Sequence, residues 1–191
     1  MAFDILSFFF RGMTEHNIDI ICIDNALECL AARSVLEWWG VKVNMFYIGQ
    51  AQHIIDALSG NEKRAPHIFI GAHGDEVGIC LPELGSAIEK KQPYRKRLSA
   101  KNLREFLSLD GNIVFCNGCA TGNQEMADAV LGSGASYYIA PGEYACGAAT
   151  LFYALGFYYH LFVSNLSAEQ AHEKASTVDE KTRVFKLFHT L

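Results

Sequence analysis

The chain has 191 residues, half of them apolar, and a formal net charge of −5 at pH 7. This length is enough for one well-buried domain and leaves little room for a second, so residues 1–191 are predicted to form a single domain. The acidic balance offers no basic face to a phosphate backbone, which disfavours binding of nucleic acid.

Short apolar runs bounded by Gly, Pro or polar residues alternate along the chain with segments of helical spacing. Strands are predicted at residues 18–23, 41–48, 66–71, 112–117 and 136–140, and a turn or small hairpin at 75–84. Helices are predicted at residues 26–39, 51–58, 99–107, 123–131, 148–163 and 167–187, with Ser99 and Ser167 as N-caps. This alternation predicts an α/β fold whose mainly parallel sheet carries helices on both faces.

Two apolar segments are candidates for a membrane span or an export signal. Residues 1–10 are too short to span a bilayer and lack the cationic start of a signal peptide, so we expect them to pack on the domain or on a partner. Residues 148–163 are also short for a span and contain His160, which favours a buried or dimer-facing helix. We therefore expect no membrane association, and six cysteines without an export signal predict a reducing cytoplasm.

Two of the predicted strands lead into reactive side chains. His73 follows the apolar run at 68–71, and Cys119 follows the run at 113–117. Parallel strands end at one edge of the sheet, where open α/β sheets place their ligands, so we expect both side chains there. An imidazole beside a thiol is the minimum apparatus for catalysis by a thiolate nucleophile. The residues alone therefore predict a cysteine hydrolase.

Three other interpretations of these residues stay open. Cys116 and Cys119 have the Cys-x-x-Cys spacing of thiol redox sites, although Cys116 lies inside an apolar run and should be buried. His73, Cys116, Cys119 and Cys146 could share a metal, but a second metal-type pair is missing from the sequence. A catalytically silent module that binds a partner would explain the small size and the excess of aromatic residues.

The sequence resembles the caspase-like cysteine peptidases and is most similar in detail to the CHAT-type domains, which are relatives of separase. The resemblance covers most of the chain. It rests on a strand ending in His73-Gly74 and on a later strand ending in Gly118-Cys119-Ala120-Thr121-Gly122. A helix, a small turn at residues 132–135 and a strand then follow in the family's order.

This resemblance implies a caspase-like, flavodoxin-like three-layer fold and a cysteine endopeptidase acting on a peptide or protein substrate. Cys119 would be the nucleophile, His73 the general acid and base, and the backbone amides of Gly74 and Cys119 the oxyanion hole. Asp24 and Glu143 are the acids available to line the pocket for the residue before the scissile bond. No metal or organic cofactor is expected, and a homo-oligomer or a regulatory protein partner is left open.

The acidic pair Asp75-Glu76 follows directly after the predicted catalytic histidine. Adjacent acids in such a segment usually lie in a solvated turn. We therefore interpret them as turn residues and not as general acids.

Overall fold

The computed structural model describes residues 16–190, so the predicted packing of residues 1–10 lies outside the described part. The strands are β1 (Asn17–Ile23), β2 (Lys42–Ile48), β3 (His67–Ala72), β4 (Gly78–Cys80), β5 (Arg97–Ser99), β6 (Ile113–Cys116), β7 (Tyr137–Pro141) and β8 (Phe185–His189). The helices are α1 (Ala26–Trp38), α2 (Ala51–Leu58), α3 (Ser86–Glu89), α4 (Ala100–Phe106), α5 (Gln124–Gly132), α6 (Gly147–Tyr158) and α7 (Ala168–Ser176). A π-helical turn, Tyr159–Val163, extends α6.

Six strands form the central sheet in the order β2-β1-β3-β6-β7-β8. The first five pair in parallel, and β8 is antiparallel to β7. Strands β3 and β6 are therefore neighbours, as the position of the predicted active site requires. The predicted α/β class and the mainly parallel sheet are confirmed.

The sheet separates two apolar cores, which explains why its central strands are apolar on both sides. Leu36 of α1 and Phe157 of α6 are fully buried on one face. Ile54 of α2, Leu103 of α4 and Met126 of α5 are buried on the other. Helices thus cover both faces, and the carboxyl ends of the parallel strands lie at one edge.

The prediction of one helix over residues 167–187 is wrong in its second half. Ser167 caps α7 as predicted, but the helix ends at Ser176 and the chain returns as β8. Asp179 and Thr182 bond to each other's backbone amides, at 2.7 and 3.1 Å, in a turn that competes with the helix. Phe185 then stacks on Tyr153 with ring centroids 3.9 Å apart. Packing against α6 therefore favours a strand over a helix at Phe185–His189.

The predicted turn or small hairpin at residues 75–84 is present over part of that range. A turn is present at residues 75–78, but β4 pairs with β5, which lies beyond the charged segment. Ser99 ends β5 and caps α4 through a capping box with Asn102, as predicted for the cap. The charged segment is thus a long connection between two short paired strands.

Residues 148–163 lie within α6 and its π-helical extension. Between residues 16 and 190, no helix combines the length and the apolar character needed to cross a membrane.

His67, at the start of β3, makes the stability depend on pH. Its ring lies against Phe162, with centroids 4.7 Å apart, and burial lowers its pKa from 6.5 to about 4, with the charge of His16 adding to the effect. The unfolded chain binds a proton on this residue below pH 6.5 and the folded chain does not. Stability is therefore complete above pH 6.5 and falls as the pH drops towards 4.

On acidification, the free energy of unfolding should fall by about 2 kcal/mol less for His67→Gln than for the unmodified protein. Each pKa unit is worth about 1.4 kcal/mol, and the expected value is reduced because the ring keeps some contact with water. Urea unfolding at neutral pH and at a pH between the two pKa values measures the difference. The exposed His53 offers a matched control, His53→Gln. An acid sensitivity that is the same in the His67 variant and in the unmodified protein contradicts the prediction.

Candidate active site

His73 follows the last residue of β3, and its side chain is exposed. Its carbonyl oxygen accepts a hydrogen bond from the Cys80 amide at 2.9 Å, and Asp75 and Gly78 exchange backbone hydrogen bonds of 3.0 and 3.2 Å. The turn that follows His73 is therefore fixed on both sides. Among residues 16–190, no hydrogen bond to the His73 ring is found.

Asp75 and Glu76 lie in this turn, as predicted, but they also tie it to neighbouring segments. Burial opposes ionisation of Asp75, yet hydrogen bonds from Arg97, Val77 and Gly78 outweigh it and hold its pKa below the usual value. The Glu76 carboxylate accepts a hydrogen bond of 2.9 Å from the Tyr144 hydroxyl. The histidine turn is thus attached to β5 and to the segment after β7.

Cys119 lies in a constrained turn between β6 and α5, and it is half-buried. Its Sγ donates to the carbonyl oxygen of Ala145 at 3.7 Å. The next residue, Ala120, has a positive φ of 55° and donates its amide to the Glu143 carbonyl at 3.0 Å. Because a side chain disfavours this φ, the surrounding bonds must hold the turn in place.

The histidine and cysteine turns pack backbone against backbone. A Cβ added to Gly74 would lie 2.8 Å from the Cys119 carbonyl oxygen and 2.9 Å from the carbonyl carbon of Gly118. The structure therefore brings the segments carrying His73 and Cys119 together at one edge of the sheet. Within residues 16–190, neither the Gly74 amide nor the Cys119 amide donates a hydrogen bond to another residue.

Gly74→Ala is expected to destabilise the fold by about 2 kcal/mol, because the new methyl group overlaps a backbone that has no free space. Thermal unfolding measures the loss. Gly85→Ala is the control, since nothing lies within 4 Å of a Cβ at Gly85. Equal melting temperatures for the two variants would contradict the prediction, because they would show that the histidine turn can move away from the cysteine turn without loss of stability.

The two acids predicted to bind substrate, Asp24 and Glu143, lie at the same edge of the sheet as His73 and Cys119. Their side chains have no hydrogen bond or ion pair with residues 16–190 that would fix them in place. Asp24 follows β1 with a positive φ of 56° and bridges to Ala72, next to His73. Glu143 contacts the cysteine turn only through its carbonyl oxygen. Both side chains are exposed.

A third acid, Glu28 in the first turn of α1, is held in place beside the cysteine turn. Its Oε2 accepts hydrogen bonds of 2.6 Å from Asn117 and 3.0 Å from Asn25. Its Oε1 lies 3.2 Å from the position of a Cβ on Gly147. Sequence reasoning missed Glu28, although the first turn of a helix after a parallel strand lies at that strand's carboxyl end.

Asn117 connects this carboxylate to the strands that lead to His73 and Cys119. It is buried at the end of β6, and its Oδ1 accepts the Ala72 amide at 2.7 Å while its Nδ2 donates to Glu28. Gly147 begins α6, two residues after Ala145, whose carbonyl contacts the Cys119 thiol. The Glu28 carboxylate is thus bracketed by two segments that also position Cys119.

All six cysteines are free thiols, and their surroundings differ. Cys116 is fully buried, and burial raises its pKa, so it does not have the exposure of a redox nucleophile. Burial also raises the pKa of Cys80. Cys146 is exposed, and the backbone amides of Ala149 and Ala148 lower its pKa, which favours the thiolate form.

A shared metal site for these residues has no support in the structure. Across residues 16–190, no group of three or more His, Cys, Asp or Glu side chains is placed to hold a metal ion.

Neither a protein-family model nor a curated protein sequence matches the chain. Solved structures that are similar to it include the following two. The separase–securin complex of Saccharomyces cerevisiae matches with a TM-score of 0.59 and 10% identity, over 93% of this chain and 12% of that one. The Arg-specific cysteine proteinase gingipain R matches with a TM-score of 0.59 and 13% identity, over 91% of this chain and 46% of that one. The chain therefore spans less than half the length of either protein, and it shares their α/β fold.

Proposed function

We propose that the protein is a cysteine endopeptidase that cleaves peptide bonds with a dyad of His73 and Cys119. The observation that carries the proposal is the backbone contact of Gly74 with Cys119, which joins the two turns at the sheet edge. His73 accepts the thiol proton, the Cys119 sulfur attacks the peptide carbonyl, and His73 returns the proton to the leaving amine. Water then hydrolyses the thioester and regenerates the thiol.

The backbone amides of Gly74 and Cys119 are the proposed oxyanion hole. Both are free of hydrogen bonds to residues 16–190, so both have a donor left for the oxygen that becomes negative. Such preorganised donors are worth on the order of 3 kcal/mol each in acyl transfer. This chemistry requires no metal or organic cofactor.

The proposed substrate carries Arg or Lys before the scissile bond, and Glu28 is the carboxylate that recognises it. Asn117 and Asn25 occupy one Glu28 oxygen, and no ion pair with residues 16–190 uses the other. A held carboxylate can pair with a guanidinium at little entropic cost. The exposed Asp24 and Glu143 are assigned to the rim of the same pocket.

Within the caspase-like fold we propose a CHAT-type domain, because the motifs around His73 and Cys119 resemble that family. Six free thiols also suit a reducing compartment, and the cytoplasm is our proposed location.

The test is to find which cysteine a peptidyl acyloxymethyl ketone ending in Arg modifies. Cys146→Ser is the background, because its lowered pKa makes Cys146 reactive towards thiol reagents in general. Peptide mapping by mass spectrometry should then find one label, on Cys119. Slow labelling spread over Cys119 and Cys80 would contradict the proposal.

The second candidate function is a catalytically silent caspase-like module that binds a protein partner. A large exposed apolar surface on α1 and α6 favours it. The same labelling experiment separates the two, because a silent module has no reason to activate Cys119 over Cys80.

A further inference from the structure

Helix α1 exposes large apolar residues on the side that faces away from the sheet, with Ser34 between them. Leu27 and Trp38 are 84% and 82% exposed, and Leu30 is 41% exposed. Their spacing of three and eight residues puts them on one side of the helix. A surface helix normally places charged residues there.

Helix α6 and its π-helical extension have the same property. Phe152, Tyr159 and Val163 are exposed and lie on one side of the helix. From residue 147 to residue 163 the sequence contains no Asp, Glu, Lys or Arg. The other sides of this helix are buried, but its exposed side also lacks the charged residues that normally face water.

The two exposed stripes lie side by side. Near the first turns, Glu28 of α1 approaches Gly147 of α6, with Oε1 3.2 Å from a Cβ there. Near the last turns, the Trp39 and Tyr159 rings are 5.6 Å apart. The helices therefore run parallel and in register. We call the combined surface of Leu27, Leu30, Trp38, Phe152, Tyr159 and Val163 the α1/α6 face.

We propose that the α1/α6 face binds a second copy of this chain and forms a two-fold symmetric dimer. Its exposed apolar area is about 600 Å², given about 150–250 Å² for a whole aromatic side chain. A monomer's largest patch is usually about 300–600 Å², and a standard interface buries about 800 Å² per partner. The face supplies most of that area, and a two-fold axis makes it meet an identical surface.

Charge also favours a second copy. The chain has a net charge of −5, yet the ionised side chains exposed on the middle and last turns of α1 are Arg33 and Glu37, which pair with each other at 2.8 Å. Two copies can therefore meet at this face without repulsion between like charges. Helices that lie on membranes instead carry Lys and Arg beside their apolar side, and α6 has none.

The experiment measures molar mass by light scattering after size-exclusion chromatography, over a series of protein concentrations in the micromolar range. It compares the full chain with Trp38→Lys and Phe152→Lys. We expect a dimer for the unmodified protein. Each substitution enters a symmetric interface twice, so the dissociation constant should rise by about 100-fold or more. Val178→Lys and Ile88→Lys alter exposed apolar residues outside the face, and both variants should remain dimeric.

Circular dichroism and melting temperature show whether the two face variants keep the fold, which their high exposure predicts. A monomeric unmodified protein overturns the proposal, and so does a dimer that both face variants leave intact. Sedimentation with phosphatidylserine-containing vesicles tests the alternative that the α1/α6 face binds a membrane surface. A monomer that pellets with vesicles through Trp38 and Phe152 would assign the face to a membrane surface and overturn the dimer.

Discussion

In the Cys146→Ser background, His73→Ala is expected to slow alkylation of Cys119 by the Arg-directed acyloxymethyl ketone by a factor on the order of 10³, the size of a lost general base. The Cys119 sulfur forms a thioether with the methylene carbon of the ketone, and the carboxylate leaves. Cys119→Ala should abolish this alkylation, because Cys119 is the thiol in the turn that packs against Gly74. The measurement is the rate of labelling by the Arg-directed ketone, followed by intact mass.

The exposed His53 gives a matched control, His53→Ala, which should react within about twofold of the background protein, as a surface change usually does. A His73→Ala rate close to that of the background would mean that Cys119 is not activated by its neighbour. The silent module would then be the better description.

The sheet could be predicted because its strands are short apolar runs between turn residues. Ile18, Ile20 and Ile21 of β1 are fully buried, and a short β-branched run closed by Asp24 and Asn25 favours a strand covered on both sides. Once the strands are parallel, their carboxyl ends share an edge. The positions of His73 and Cys119 at that edge follow from this geometry and not from local signals.

Strand β8 could not be predicted because its pairing is decided by contacts distant in the sequence. The capping box at Ser167 correctly starts a helix, but no Gly or Pro marks its end at Ser176. Antiparallel pairing with β7 and the stacking of Phe185 on Tyr153 stabilise the strand. A few apolar residues near a chain end fit a helix or a strand equally well.

Arg97 and Glu28 were missed for a related reason. Each is an ordinary charged residue in the sequence, and each gains its role from one bond to a distant partner. Arg97 donates to Asp75, 22 residues away, and Asn117 donates to Glu28, 89 residues away. A polar Asn at the end of a buried strand is the signal that points to a partner at the sheet edge.

Glu28→Gln is expected to lower kcat/KM by a factor on the order of 10² for a peptide with Arg before the scissile bond, the usual effect of removing one charge from a desolvated pair. For the same peptide with citrulline, the uncharged isostere of Arg, little change is expected. Gln keeps the volume of Glu and an oxygen for Asn117, so the loss reports the charge. The ratio of the two kcat/KM values is the quantity to compare.

Asp24→Asn and Glu143→Gln are the matched controls, because each removes one acid from the same edge. Their exposed side chains meet high dielectric and salt, so each should change the Arg-to-citrulline ratio by less than about threefold. If either of them brings the Arg-to-citrulline ratio close to one while Glu28→Gln leaves it high, the carboxylate that recognises Arg is on a loop and not on α1.

Gly147→Ala is a further test of Arg recognition by Glu28. Its Cβ would lie 3.2 Å from Oε1, so it should weaken Arg recognition by narrowing the approach to the carboxylate while leaving its charge in place.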